Sequence, residues 1–412
     1  MMRTLRGLEG FGRFWAAHTV SVLGTNTGLI VIPLLALNVA GASVFQMGLL
    51  EAAESLAVLF FGLFIGRVAD EMGGDRSIIA ANLLRALLLI TIPVAYVLGS
   101  VSFIHIFLVV FALGAASLLY ESAMSTIVVR RFPKKAWPQV NSAVEGSNSV
   151  TEVAGPGIGG LLVQAVGAPL AVLLDVCTYL VSSFLFFLGR GAGSSRTEDS
   201  GESSGGALSG LRLVWQDKGL RAIFLSAAHF NFFAAGFSAV LTYYMVRDLG
   251  FSSALVGLAS VGSGIFGVVA TLVTSRLMAR YPTPLLYFLS YALAGVFALL
   301  VPVAFVVEGT AVRFLLVSLG LAGWAFAIVV NLVMSETIKQ HNTPETMIGQ
   351  VSSAIRWGTL GVVPFGAVAG GYLGGTIGST ACLIVMCFGL IAAVTWLFIG
   401  GDMRKVDIRT LG

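Results

Sequence analysis

The stretch QVNSAVEGSNSVTEVAGPGIGGLLVQAVGAPLAVLLDVCTYLVSSFLFFL, residues 139–188, decides the architecture. It reads as two apolar segments, 139–165 and 169–189, parted by little more than Gly167-Ala168. Each is long enough to cross a hydrocarbon layer of about 30 Å as a helix, and so short a connection lets the two lie only as an antiparallel hairpin. Ten further runs repeat the pattern, near 14–39, 45–66, 77–99, 102–124, 221–246, 252–275, 284–306, 313–334, 348–373 and 378–399. The expected fold is therefore an all-α integral membrane protein of twelve transmembrane helices. Composition agrees: the 412 residues are 57% hydrophobic and 11% charged, against roughly 25% charged in a soluble domain. Mean hydropathy is +0.93. Such a chain cannot coat a soluble body of its size, which excludes a soluble enzyme, a nucleic-acid binder and a disordered protein.

The cations set the sidedness. With the N-terminus placed inside, twenty of the 24 Lys and Arg fall in inner segments: Arg3 to Arg13, Arg67 and Arg76, Arg130 to Lys135, Arg190 to Arg221, Arg276 and Arg280, Lys339, and Arg404 to Arg409. Arg247 and Arg313 lie outside, and Arg85 and Arg356 fall within spans. This asymmetry is the positive-inside pattern. It places both termini in the cytoplasm and the chain in a plasma membrane, a bacterial inner membrane by expectation. The net charge of +4 then reflects topology, not a nucleic-acid partner. The first apolar segment serves as an uncleaved span. Cys177, Cys382 and Cys387 all fall in spans and suggest neither a disulfide framework nor a metal site. No cofactor is expected, and the chain should function as a monomer.

Residues 191–206, GAGSSRTEDSGESSGG, hold no apolar residue larger than Ala and cannot bury anything. They divide the chain into a six-helix bundle over 1–190, a flexible cytoplasmic linker over 191–220 and a second six-helix bundle over 221–412. The halves echo each other: Asn141-Ser142-Ala143-Val144 precedes Gly159-Gly160, and Ser352-Ser353-Ala354-Ile355 precedes Gly370-Gly371. A repeat of this kind implies two similar bundles with a site between them.

Five segments carry a family resemblance. Between spans two and three stands Gly66-Arg-Val-Ala-Asp70-Glu-Met-Gly73-Gly-Asp75-Arg76. Span five contains Gly155-Pro156-Gly157-Ile158-Gly159-Gly160; span six contains Leu173-Leu174-Asp175 and Thr178-Tyr179-Leu180. The second half has Tyr244-Met-Val-Arg-Asp248-Leu249-Gly250, then Pro344 and Gly349-Gln350-Val351. In this order the chain resembles the major facilitator superfamily, and within it the macrolide-efflux and enterobactin-exporter-like branch. The resemblance implies alternating access between two rocking bundles. It implies a gate loop in which Asp70, with Gly66, Gly73 and Arg76, latches the halves on the cytoplasmic side, and an antiporter motif at Gly155, Pro156, Gly159 and Gly160. Two departures stand out. Thr25 and Asn26 follow Gly24 where the branch often has an acidic residue, and span four lacks the arginine of many drug/proton antiporters.

The residues themselves point to transport. Asn141, Glu145, Asn148 and Glu152 follow i, i+4, i+7, i+11 spacing, one polar stripe on an apolar helix. Ionisable groups at bilayer depth are costly and usually face a cavity. For Glu145 a solvated position among lipid headgroups is an open alternative; for Glu152 it is a poorer one. Glu54 lies deeper than Glu51 in span two, and Asp175 fits either the family position or a structural hydrogen bond. Arg85 and Arg356 each require a carboxylate or carbonyl partner, or a route to the surface. Asn26, His229, Asn231, Trp324 and Asn331 are candidates to line a substrate route. The expected function is proton-coupled efflux of a bulky amphipathic small molecule, with Glu54 and Glu152 carrying protons and a cationic or polar-headed cargo mildly favoured. A facilitator, importer or lipid transporter of the same fold is the alternative, and a membrane sensor a weaker one. Neither HExxH nor a phosphate-binding loop occurs, so the chain is not expected to be an enzyme.

Overall fold

The computed structural model describes residues 8, 10–62, 65–189, 207–344 and 347–399. Among them every regular element is a helix. In chain order these are α1 (Phe11–Asn38), α2 (Val44–Phe61), α3 (Ile65–Met72), α4 (Gly74–Val97), α5 (Phe103–Arg131), α6 (Trp137–Val166) and α7 (Ala168–Leu188). There follow α8 (Ala207–Gln216), α9 (Lys218–Asp248), α10 (Ser253–Arg280), α11 (Thr283–Val306), α12 (Thr310–Asn342), α13 (Ile348–Ile377) and α14 (Ser379–Ile399). Helices satisfy every backbone donor and acceptor within the segment, which lipid requires. Side chains close some of the ends: Ser102 caps α5 by accepting from the His105 amide, and Asp217 caps α9 by accepting from the Leu220 amide at 2.7 Å.

Each of the twelve predicted spans overlaps a helix among the described residues. Among the described residues, eleven helices are both long and apolar enough to cross a membrane. The expected count of twelve is met by that measure at every span but 139–165. That segment forms the 30-residue helix α6, unbroken through Pro156, but its Glu and Asn residues make it too polar to meet the same test.

Two connections differ from expectation. The predicted loop after span two is helical: Ile65 and Ala69, one turn apart, pack into the cluster that α5 forms, while Val68 and Met72 are exposed. Only Gly73 then separates α3 from α4, with φ 80°, a conformation that suits glycine. The predicted linker over 191–220 is helical from Ala207 to Gln216. There Val214 is buried with Leu220 and Val351. The glycine- and serine-rich residues 191–206 lie outside the described residues, as do Arg3, Arg6, Arg404, Lys405 and Arg409 among the cations that supported the sidedness.

The described chain forms two compact units. The first comprises residues within Met1–Ala42, Ala53–Ser200 and Ser252–Val261; the second comprises residues within Ser43–Ala52, Gly201–Phe251 and Gly262–Gly412. In the first, α1 packs against α6 and α7, and α4 against α5 and α7. A cluster of Phe14, Phe132 and Phe186 closes one end, with ring centroids 5.2 and 6.1 Å from Phe14 in edge-on geometry. In the second, α9 packs against α13 and α14, and α11 against α12.

The sequence echo between the halves has a structural counterpart in each unit. In the first, a Cβ on Gly160 would stand 2.5 Å from the Ser253 carbonyl and 2.9 Å from Gly257 Cα. In the second, a Cβ on Gly371 would stand 2.8 Å from Gly48 Cα. At both places two backbones meet with no room for a side chain, the reason small residues suit helix contacts in lipid. The hairpin turns match as well: Gly167 has φ 83° and ψ 155°, Gly378 φ 87° and ψ 150°.

Candidate functional site

The first unit holds a polar core threaded through apolar helices. From α1, His18 bonds Tyr120 of α5 at 3.0 Å through Nδ1 and Asn148 of α6 at 3.1 Å through Nε2. Thr19 meets Ser147 at 2.7 Å, Asn26 donates to Thr151 at 3.0 Å, and Thr25 meets Tyr179 of α7 at 3.0 Å. Asn82 of α4 accepts from Ser21 and donates to Ser182, at 3.2 and 2.9 Å. Each of these bonds joins two helices, so polar side chains act as cross-links where lipid supplies no hydrophobic drive between helices.

Arg85 sits inside this core, 3% exposed. Its Cζ lies 4.7 Å from the centroid of Tyr120 and 5.3 Å from that of Tyr179. Nη1 donates to Asn82 Oδ1 at 3.4 Å, and Nε has no partner among the described residues. The guanidinium is thus held mainly by two aromatic faces, a cation–π arrangement worth about 2 kcal/mol when desolvated. Of the two partners considered, carboxylate or carbonyl, it is an amide carbonyl that bonds it among the described residues, with two rings beside it. Glu54 of α2 and Glu121 of α5 are near enough to interact with this charge cluster. The Glu54 side chain is exposed, while its backbone packs closely on Gly114.

Asp175 of α7 is 1% exposed, and its Oδ1 has no hydrogen-bond partner among the described residues. Gly28 of α1 makes room for the carboxyl, since a Cβ there would stand 3.0 Å from Oδ2. An unpartnered carboxyl oxygen in dry packing is costly, which singles out this side chain.

On α6 the predicted stripe is partly assembled. Asn148 donates to Glu145 at 3.3 Å and bonds His18; the side chains of Asn141, Glu145 and Glu152 are exposed. Val150, 65% exposed, lies on roughly the opposite side of the helix by its 3.6-residue turn. Ser147, Thr151 and Gly155 form the buried face between them, Gly155 and Gly159 lying against the Asn26–Thr27 backbone of α1. Pro156 is buried within the same continuous helix.

Of the predicted gate loop, Arg76 is exposed; Gly66 and the side chain of Asp70 lie outside the described placements. Nearby, Asp75 bonds Arg131 of α5 at 2.7 Å, with Arg131 only 8% exposed. This pair was not anticipated, because nothing local in the sequence joins positions 56 residues apart.

The second unit encloses a cavity of about 780 Å³ between α9, α11, α12 and α13. Four predicted residues line it, Asn231, Trp324, Asn331 and Arg356, together with Glu336 and Lys339. Asn231 donates to the Thr359 carbonyl at 3.0 Å, and Asn331 to Ser290 at 2.9 Å. Lys339, assigned to a loop by sequence, is 8% exposed and pairs with Glu336 at 2.7 Å, because α12 runs on to Asn342. Trp324 stacks obliquely on Phe237, and its Nε1 has no partner among the described residues. His229 is placed elsewhere: it donates to the Gly389 carbonyl at 2.9 Å among Phe233 and Trp396. Asn26 belongs to the first unit's core.

Residues 14–358 match the Major Facilitator Superfamily. The chain is 25% identical over 358 residues to the multidrug efflux pump Tap of Mycolicibacterium fortuitum, covering 84% of this chain and 86% of that one. It is 28% identical over 178 residues, 42% of each chain, to the uncharacterized MFS-type transporter YjbB of Bacillus subtilis (strain 168). Among solved structures, a bacterial homologue of the iron transporter ferroportin aligns with TM-score 0.76 at 15% identity, covering 94% and 97% of the two chains. The nucleoside transporter NupG aligns with TM-score 0.72 at 13% identity, covering 94% and 98%. This multi-pass helical protein is a transporter rather than an enzyme, and it belongs to the Major Facilitator Superfamily.

Proposed function

We propose that the chain is a secondary exporter that moves a bulky amphipathic compound by alternating access of two six-helix bundles, driven by inward proton flow. Both termini lie in the cytoplasm, and the membrane is the bacterial inner membrane. One observation carries the reading: the carboxyl groups embedded in the first unit. Glu54 and Glu152 are uncovered by protein, and Glu152 shares its face of α6 with Glu145 rather than with the exposed apolar Val150. Water, not lipid, suits such a face. Glu54 and Glu152 exchange protons with that water, and Asp175 and Arg85 set the charge behind them. The similarity to a multidrug efflux pump over 84% of the chain supports export of a drug-like compound.

The test is transport in proteoliposomes with an imposed pH gradient. Glu54→Gln and Glu152→Gln should each abolish the gradient-dependent part of export while leaving downhill exchange. If both variants retain wild-type, gradient-dependent rates, the coupling assignment fails. Transport that an ionophore leaves untouched would make the chain a facilitator.

A further inference from the structure

One end of the first unit gathers cations that the fold leaves without counter-charges. Helix α5 stops at Arg131; Phe132 and Pro133 are extended, and a tight turn over Lys134–Ala136 leads into α6. Four cations, Arg130, Arg131, Lys134 and Lys135, thus fall within six residues. The turn is fixed from beneath: Phe132 is buried with Phe14 and Phe186, and the Trp137 indole donates to the Phe132 carbonyl at 2.9 Å. Neighbouring helices add charge. Asp75 bonds Arg131 at 2.7 Å, which brings the first turn of α4, and Arg76 with it, to this end. Arg13 of α1 donates to the Leu188 carbonyl at the end of α7, at 3.3 Å. Asp75 answers Arg131 alone. Arg13, Arg76, Arg130, Lys134 and Lys135 are exposed, and none of the five is in an ion pair among the described residues. Against them stand Glu71, exposed on α3, and Glu145, which Asn148 engages about 12 Å along α6 from Trp137. The balance is positive. Apolar surface begins at once beside it, with Val129 47% and Leu188 48% exposed. The connections at the far ends of these helices, residues 39–43, 98–102 and 167, contain no charged residue.

We infer that this end of the first unit binds a phospholipid with an anionic head, the phosphate beside Arg130, Lys134 and Lys135 and the acyl chains along the end of α5. Several Lys and Arg directly after a spanning helix are the pattern that holds such heads. Trp137, its indole N–H already donated to the chain, adds a ring at head-group level, where aromatic residues favour the interface. A soluble acidic partner would gain nothing from Val129 and Leu188, whereas a lipid uses the cations and the apolar wall together. Nothing in this binding depends on the direction or the coupling of transport.

Binding in detergent tests it. The full chain in dodecylmaltoside is mixed with dioleoylphosphatidylglycerol or, separately, with dioleoylphosphatidylcholine, and native mass spectrometry counts the lipid retained. The two lipids share their chains; the first head is anionic and the second zwitterionic. Phosphatidylglycerol should bind more tightly. Lys134→Gln with Lys135→Gln should weaken it about 25-fold, about five-fold for each cation at a membrane surface, and leave phosphatidylcholine as it was, which a misfolded chain would not do. Lys134→Arg with Lys135→Arg should keep wild-type binding, because charge holds the head. Arg276→Gln with Arg280→Gln, two exposed cations at the end of α10 in the second unit, should change neither lipid. Equal binding of the two lipids would overturn the inference. So would equal losses from the lysine pair and the α10 pair, since positive charge would then act from anywhere on the protein. Full displacement of the lipid by inorganic phosphate would assign the cations to a free anion and overturn it as well. Lipid selectivity that persists in a chain unable to export would sink the transport reading and leave this one standing.

Discussion

Arg85 and Arg356 are the two cations embedded in predicted spans, and the molecule treats them in opposite ways. Arg85, in the first unit, is sealed between Tyr120 and Tyr179 at the junction of four helices. Arg356, in the second, is exposed on the wall of a cavity of about 780 Å³. The same side chain on a spanning helix can therefore be enclosed by its neighbours or left on a cavity wall. What decides is how much of it the surrounding helices cover. A buried cation stabilises only with its cage intact, whereas one at a cavity wall can be changed at little cost to the fold.

The contrast breaks most readily at Arg85. Arg85→Ala should lower stability in micelles by about 3 kcal/mol, combining the cation–π loss with the cavity left behind. Arg356→Ala should stay within about 0.5 kcal/mol, as exposed substitutions do. Similar losses in the two variants would erase the distinction.

The helix contacts offer a second comparison, in which the units should behave alike. Gly160→Val and Gly371→Val each drive a side chain into opposing backbone, and each should cost about 2–3 kcal/mol by overpacking. Gly146→Ala, on the same helix as Gly160 but with nothing within 4 Å of the added Cβ, should be neutral or slightly stabilising. Thermal melting followed by tryptophan fluorescence separates these outcomes.

The hairpin glycines come next. Gly167→Ala and Gly378→Ala force a side chain into a backbone region nearly reserved for glycine, at about 1–2 kcal/mol each. Unequal losses would show that the two hairpins, alike in φ and ψ, are not alike in restraint.

The smallest effect is expected at the part-buried ion pair, in which Asp75 is 30% and Arg131 8% exposed. Asp75→Asn should cost about 0.5–1 kcal/mol and should lose most of that difference in high salt, whereas Arg85→Ala should not respond to salt.

Much of the fold was legible because its signals are local. Twelve apolar runs and the short Gly167 turn appear in the sequence where helices and a hairpin stand in the structure, although the helices from Phe103 and from Thr310 run on about two turns past their runs. The misses were also local in origin. Residues 65–72 and 207–216 read as loops because charges and glycines interrupt them, yet their apolar spacing gives each a packing face. Span ten was cut at 334 for the same reason, and this hid Lys339 from view as a cavity residue. The candidate site was legible only in part. Asn231, Trp324, Asn331 and Arg356 were each noticeable as polar or aromatic residues in apolar runs, but nothing in the chain joined them to one another.

By itself the sequence determined which long segments are helices that cross a membrane, since in lipid each such segment must satisfy its own backbone hydrogen bonds and show an apolar surface, properties carried by consecutive residues. Tertiary structure alone decided that Tyr120 and Tyr179 enclose Arg85, that His229 turns to the Gly389 carbonyl instead of the cavity, and that Arg131 finds Asp75. Those pairings depend on which helix faces lie together, and helix packing brings together residues between 14 and 175 positions apart whose spacing leaves no mark along the chain.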